Sequence, residues 1–388
     1  MEKQKILLKG RIITPQGILE GRNLLEIANG RISYIGVEGS LFPGQEHQIY
    51  DFGPNYICPG FIDMHIHGCG GPDVMDSTFE ALDWMSMELA EGGTTSFLAT
   101  TMSASRDELV GVIKNIAEAK RKGTKGAWII GAHLEGPFLN LGKKGAHKGE
   151  YLRVPNIHEL QEYIDAGQGV IRMLTIAPEL TGSTGVIELA RDHGMLVSLG
   201  HSDASIAQVD EACRAGLSHV THAFNAMAGL HHRDPGTIGA ILSMKQLTVD
   251  VIPDGHHVHP TVIKILVHAK GVDQVCAITD CIRAGKMGNG VFELGGQKVT
   301  VKNGISYLDD GTMSGSTLTM AAAMRVMVDM VGLTLEEAVK LTSANPARIL
   351  GLSDKGSLEQ GKDADIVVLD HHLQVLMTII GGKVAYKK

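Results

Sequence analysis

"FIDMHIHG", residues 61–68, decides how the rest of the chain is read. As a strand it alternates faces, so Asp63, His65 and His67 share one side. Ile62, Met64 and Ile66 share the other. An apolar outer face and a polar inner face reverse the pattern of an ordinary surface strand. The polar side must look into a space that wants nitrogen and oxygen donors, and a metal ion is the leading candidate.

Working outward, seven more strand-like apolar runs follow: "TTSFLATTM", "AWIIGAHLEGP", "VIRMLTIAP", "MLVSLGHSD", "HVTHAFNAM", "LTVDVIPDGHH" and "VCAITDCI". Most are separated by helix-like stretches such as "STFEALDWMSMELAEGG" and "SRDELVGVIKNIAEAKRKG", for which Ser77 and Ser105 are the expected N-caps. Eight strands alternating with helices predict an α/β fold, a (β/α)8 TIM barrel. Both ends of the chain read as short strands broken by turns, Pro15-Gln16-Gly17 and Asn29-Gly30 among them. They predict one small β-sandwich domain assembled from residues 1–57 and 356–388, around a barrel of residues 58–355.

In such barrels the active site lies at the C-terminal strand ends. His65 and His67 end the first run, Glu135 the third and His201 the fifth. His222 sits late in the sixth, His257 follows the seventh, and Asp280 ends the eighth. A chance scatter of polar residues would not respect that rule.

Composition narrows the function classes. The 388 residues carry a net charge of −8 with no basic stripe, which argues against nucleic acid as a partner. The five cysteines form no C-x-x-C pair and suit a reduced, cytoplasmic chain. The opening "MEKQKILLKG" has no apolar segment before a cleavage site, and no run is long enough to span a bilayer.

The chemistry follows from the donor set. His65, His67, Glu135, His201, His222 and Asp280 offer imidazole and carboxylate ligands for one or two divalent ions, with zinc, iron, manganese and cobalt all compatible. Asp280 is the expected general base, taking a proton from a metal-activated water and returning it to the leaving group. His257 is placed to donate a hydrogen bond to a carbonyl oxygen as it gains charge. Arg233 and His147, in the Gly-containing basic loops "HHRDPGTIGA" and "KKGAHKG", suit an anionic substrate group. No G-x-S-x-G elbow is present, so a serine nucleophile is disfavoured.

The stretches "PGFIDMHIHGCGG", "HLEGPFLN", "KKGAH", "LGHSDA", "THAFNAM", "HRDPGTIGA", "DGHHVHP", "DGTMSGSTLTM" and "GSLEQGKDADIVV" closely resemble the N-acetylglucosamine-6-phosphate deacetylases, a branch of the metal-dependent amidohydrolases. The resemblance spans nearly the whole chain. It implies hydrolysis of the acetamide of N-acetylglucosamine 6-phosphate to glucosamine 6-phosphate and acetate, in amino-sugar catabolism and cell-wall sugar recycling. It implies a homodimer in which Arg233 reaches the phosphate in the partner's site. It implies a sugar-phosphate pocket lined by Ala146, His147, Asn225 and Ala226, with His257 on the acetyl carbonyl and Met313 against the acetyl methyl. Some members lack the first-strand histidines; this chain keeps both. Many two-metal relatives use a fourth-strand lysine; "VIRMLTIAPE" has none, which leaves Glu135 as the expected bridge. N-acetylgalactosamine-6-phosphate deacetylase and cyclic-amide hydrolase are the competing activities.

Overall fold

Eight parallel strands stand side by side in chain order in the computed structural model, each hydrogen-bonded to the next. They are β1 (Phe61–Ile66), β2 (Thr94–Thr100), β3 (Trp128–Glu135), β4 (Ile171–Ile176), β5 (Leu196–Leu199), β6 (Leu217–Val220), β7 (Thr248–Val251) and β8 (Val275–Ala277). The structure describes residues 5–19, 21, 23–39 and 47–388, so the first four residues of the opening stretch and residues 40–46 of the first domain expectation lie outside it. Eight helices are used below: α1 (Phe79–Glu91), α2 (Arg106–Lys122), α3 (Ile157–Gly167), α4 (Ser183–Asp192), α5 (Ile206–Ala215), α6 (Gly236–Ser243), α7 (Pro260–Lys270) and α8 (Met320–Val326).

The sheet curls until β8 meets β1 at a seam. There Asp280 N donates to His65 O (2.9 Å) and His67 N to Cys281 O (2.9 Å). The Thr279 hydroxyl donates to Asp63 at 2.5 Å. Asp63, fully buried, therefore stitches the two ends of the sheet together.

Strict alternation in β1 does not hold. Ile62 and Met64 pack with Leu98, Met173, Cys276 and Ile278, a cluster drawn from strands all round the sheet. Only the barrel interior brings those strands together. Phe61 and Ile66 instead join the layer that contains the buried helix faces. The β1–β2 register shifts between Asp63 and Ile66, as at a β-bulge. This irregularity lets the lower half of β1 fill the barrel floor while His65 and His67 still turn inward at the rim.

The helices follow from sequence period. In α2 the buried positions are Leu109, Val112, Ile113, Ile116 and Ala119, one face at three- and four-residue spacing. Ser105 caps it, accepting from Glu108 N, with acidic residues in the first turn and basic ones in the last. Ser77 does not cap α1. Its φ of 51° closes the preceding 3-10 turn, and Thr78 Oγ1 accepts from Ala81 N instead.

Strands from both chain ends share a second eight-stranded sheet. Ile366–Leu369 pairs with the long strand His47–Pro59, which pairs in turn with Lys5–Thr14. Leu8, Ile12, Leu25, Ile57, Ile366, Val368 and Met377 form its core. His47–Pro59 continues through Gly60 directly into β1, so this sheet anchors the strand that carries the two histidines. A three-stranded antiparallel insert, Gly290–Tyr307, follows β8. Sequence reading passed over it, although Gly295-Gly296 and Asn303-Gly304 are two-residue turns with positive φ throughout.

Candidate metal centre

The strand ends deliver the predicted residues to one spot. Glu135 lies at its centre with its two carboxylate oxygens directed to different partners. Oε1 is 3.2 Å from His201 Nε2 and 3.0 Å from His222 Nε2. Oε2 is 3.4 Å from His65 Nε2 and 3.2 Å from His67 Nε2. Asp280 Oδ1 closes the second group, 3.5 Å from His65 Nε2 and 3.4 Å from His67 Nε2. All six side chains are buried. His201, His222 and Asp280 have φ of 49°, 34° and 48°, left-handed conformations that cost a non-glycine residue energy and cluster at functional sites.

The donor chemistry fits a cation. His67 Nδ1 is 3.2 Å from Thr100 O, and His201 Nδ1 is 2.8 Å from Lys143 O. A carbonyl only accepts, so each Nδ1 carries a hydrogen and each Nε2 is the nitrogen left to present a lone pair to a cation at the centre. Yet His65 Nε2 and His67 Nε2 are 3.2 Å apart, and His201 Nε2 and His222 Nε2 are 3.1 Å apart. Lone pairs converging on each other and on a carboxylate are unfavourable unless a positive charge sits among them. Donors on a tetrahedral ion with bonds of about 2.1 Å lie about 3.4 Å apart, close to the spacings here. The two groups, bridged by Glu135, could hold two ions.

Electrostatics point the same way. Burial opposes a charged His67 and His222, but Asp280 and Glu135 lift His67 to about 10, and Glu135 lifts His222 to about 9. Burial pushes Asp280 up, and the facing histidines, His65 first, hold it at about 2. Glu135 is held well below the usual carboxylate range by the same imidazoles, despite its burial. Without a metal, the centre takes up protons to balance its two carboxylates.

Above these groups opens a cavity of about 540 Å3. His67, Glu135, His201, His222 and Asp280 form its floor; Ala146, His147, Asn225, Ala226, His257 and Met313 line its walls. His65 lies just behind the floor. Arg233 does not line it: the side chain is exposed on the loop before α6, with Nη1 2.9 Å from His232 Nε2. His147 is nearer the metal groups than expected, its Nε2 3.5 Å from Glu135 Oε2. His259 caps α7 and His193 ends α4, so neither is a ligand.

Three features escaped sequence reading. Asp254 accepts from His257 Nδ1 at 2.7 Å and from the backbone N–H groups of His256 and His257. Burial raises its pKa, but the His257 contacts prevail and hold it below the ordinary value. The contact fixes the orientation of the His257 ring, with Nδ1 committed to Asp254. The D-x-x-H spacing in "DGHH" was the available signal. Lys144, half-buried with Asp310 nearby, adds positive charge to the wall. His133, fully buried, packs edge-on against His65 and is 2.7 Å from the Thr175 hydroxyl.

Residues 56–385 match the model of the amidohydrolase family. The chain is 36% identical over 387 residues to an N-acetylglucosamine-6-phosphate deacetylase of Bacillus subtilis, covering 99% of this chain and 98% of the relative. It is 36% identical to an N-acetylgalactosamine-6-phosphate deacetylase of Escherichia coli O157:H7, covering 98% and 99%. Among solved structures, a mutant N-acetyl-D-glucosamine-6-phosphate deacetylase of Mycobacterium smegmatis, in complex with N-acetyl-D-glucosamine-6-phosphate, superimposes with a TM-score of 0.93. That match has 32% identity and covers 99% of this chain and 100% of the other. The chain belongs to the amidohydrolase family, alongside the N-acetylglucosamine-6-phosphate deacetylases.

Proposed function

We propose that this protein hydrolyses the acetamide of N-acetylglucosamine 6-phosphate to glucosamine 6-phosphate and acetate. One observation carries the reading: a buried carboxylate, Glu135, faces two histidine pairs beneath a 540 Å3 cavity whose floor also presents Asp280. His65, His67, Glu135, His201, His222 and Asp280 would hold a divalent cation, which would supply Lewis acidity and lower the pKa of a water to about 7. Asp280 takes the proton of the attacking water and returns it to the departing amine. His257, held in place by Asp254, faces the carbonyl oxygen as negative charge develops there. Met313 seats the acetyl methyl; Ala146, His147, Asn225 and Ala226 orient the sugar phosphate.

The same reading includes a homodimer in which Arg233 of one copy reaches the phosphate held by the other, which accounts for its exposure in the single chain. It includes a small β-sandwich domain of residues 1–57 and 356–388 around a barrel of 58–355, and the cytoplasm as working compartment. The five cysteines are all free, and among the described residues no helix is long and apolar enough to cross a membrane.

The test is acetate release from N-acetylglucosamine 6-phosphate, from its galactosamine analogue and from unphosphorylated N-acetylglucosamine, with and without chelator. Chelator-sensitive release confined to the phosphorylated gluco substrate is expected. Preference for the galacto compound would move the assignment to that substrate. No release from any of the three by metal-loaded protein would end the deacetylase reading and direct attention to cyclic amides.

A further inference from the structure

A second cavity, of about 360 Å3, opens between α8 and the sheet built from the chain ends. Tyr56, Arg325, Asp329, His371, His372 and Gln374 supply its polar lining, and it shares no residue with the cavity over the metal groups. Arg325, in the last turn of α8, is half-buried and has no hydrogen-bond or ion-pair partner among the described residues. On an α-helix Asp329, four residues on, would pair with it. Here Met327–Val331 is a π-helical turn, which changes the angular spacing of the two side chains. Such turns are frequent at functional sites.

The opposite wall is a turn built around Asp370, whose Oδ1 accepts from His372 N and Gln374 N, both at 2.8 Å. The turn holds Leu373 at φ 56°, a strained value for a leucine. It presents His371 and His372 side by side, with ring centroids 3.8 Å apart. The Tyr56 hydroxyl accepts from Arg11 Nη1 at 3.1 Å, which leaves its own hydrogen to donate.

We propose that this cavity is a second binding site, taking a small hydroxylated phosphomonoester with Arg325 and the two histidines on the phosphate. A carboxylate has two oxygens in one plane, which a bidentate Arg325 and imidazole donors from the facing wall would have to share. A phosphate has three, enough for a bidentate arginine and imidazole donors together. Asp329 would repel a bare dianion but accepts from hydroxyls on an organic portion, as does the Gln374 carbonyl.

The experiment is equilibrium dialysis of the metal-loaded full chain with labelled glucose 6-phosphate, which has no acetamide to lose. R325Q binds one molecule fewer per chain than the native protein, whatever number the other cavity takes. The double variant H371N/H372N binds that molecule about tenfold more weakly. Both variants keep the native turnover. Equal stoichiometry and affinity in R325Q and native protein would overturn the proposal, as would equal displacement of the label by unphosphorylated glucose. If R325Q fails to fold, the histidine variant decides: unchanged affinity overturns the site.

Discussion

Asp280 is the residue on which the proposed chemistry turns most directly. Its carboxylate is held ionised at the rim by His65 and His67, so it stays competent to accept a proton at neutral pH. Asp280→Asn keeps the side-chain size and three of the other group's ligands. Metal content measured by mass spectrometry stays within a fraction of an equivalent, while kcat falls about 10²- to 10⁴-fold. Near-native kcat in that variant would remove Asp280 as the base. Asp254 acts one step back, through His257. Asp254→Asn lowers kcat more than it raises KM and leaves metal content unchanged. Its pH signature is also defined. The native carboxyl is depressed below its unfolded value, so its contribution to stability is present above about pH 4. That contribution is lost as pH falls through the folded pKa. Urea titrations therefore show native protein more stable than Asp254→Asn at pH 7, with the gap closing below about pH 4.

At the scale of elements, the seam between β8 and β1 sets where the centre sits. Asp63 accepts from Thr279 Oγ1, Thr279 N and His65 N. Asp63→Ala leaves those buried donors unsatisfied and loosens β1 against β8. Unfolding free energy from urea titration drops by about 3 kcal/mol, and metal affinity falls with it because His65 and His67 lie on the freed strand. A variant as stable as the native chain would mean that the seam closes without Asp63. The alternation of "FIDMHIHG" showed a strand with a chemical face, but not the bulge that splits that face between floor and rim. A bulge is a response to neighbouring strands, and its register is visible only when β2 is in place. The capping of α2 by Ser105 was legible because that cap is a local hydrogen bond. At α1 two candidate caps stand side by side, and the left-handed turn at Ser77 assigns the role to Thr78.

For the molecule as a whole, metal binding and stability are linked. The centre draws ligands from β1, β3 and the loops after β5, β6 and β8, so ions that bind there favour the closed barrel over the unfolded chain. Removing metal with a chelator abolishes turnover and lowers the melting temperature; adding back zinc or manganese restores both. A melting temperature indifferent to metal at concentrations that restore activity would contradict a centre embedded in the barrel.

The sequence by itself determined the eight-strand alternation, the placement of His65, His67, Glu135, His201, His222 and Asp280 at strand ends, and the pairing of the two chain ends in one sheet. Each of these is a pattern of residue types at fixed spacing, imposed by strand and helix periodicity and by the donor chemistry of imidazole and carboxylate. Only the tertiary structure decided that Glu135 turns one oxygen to each histidine pair, and that Asp254 braces His257. It alone left Arg233 outside its own cavity and Arg325, in another, without a partner among the described residues. The centre depends on distances of a few ångströms between residues tens to hundreds of positions apart, and the Asp254–His257 contact on the loop conformation that closes a three-residue span. The packing of whole strands and helices fixes those distances, and the periodicity within any one of them does not.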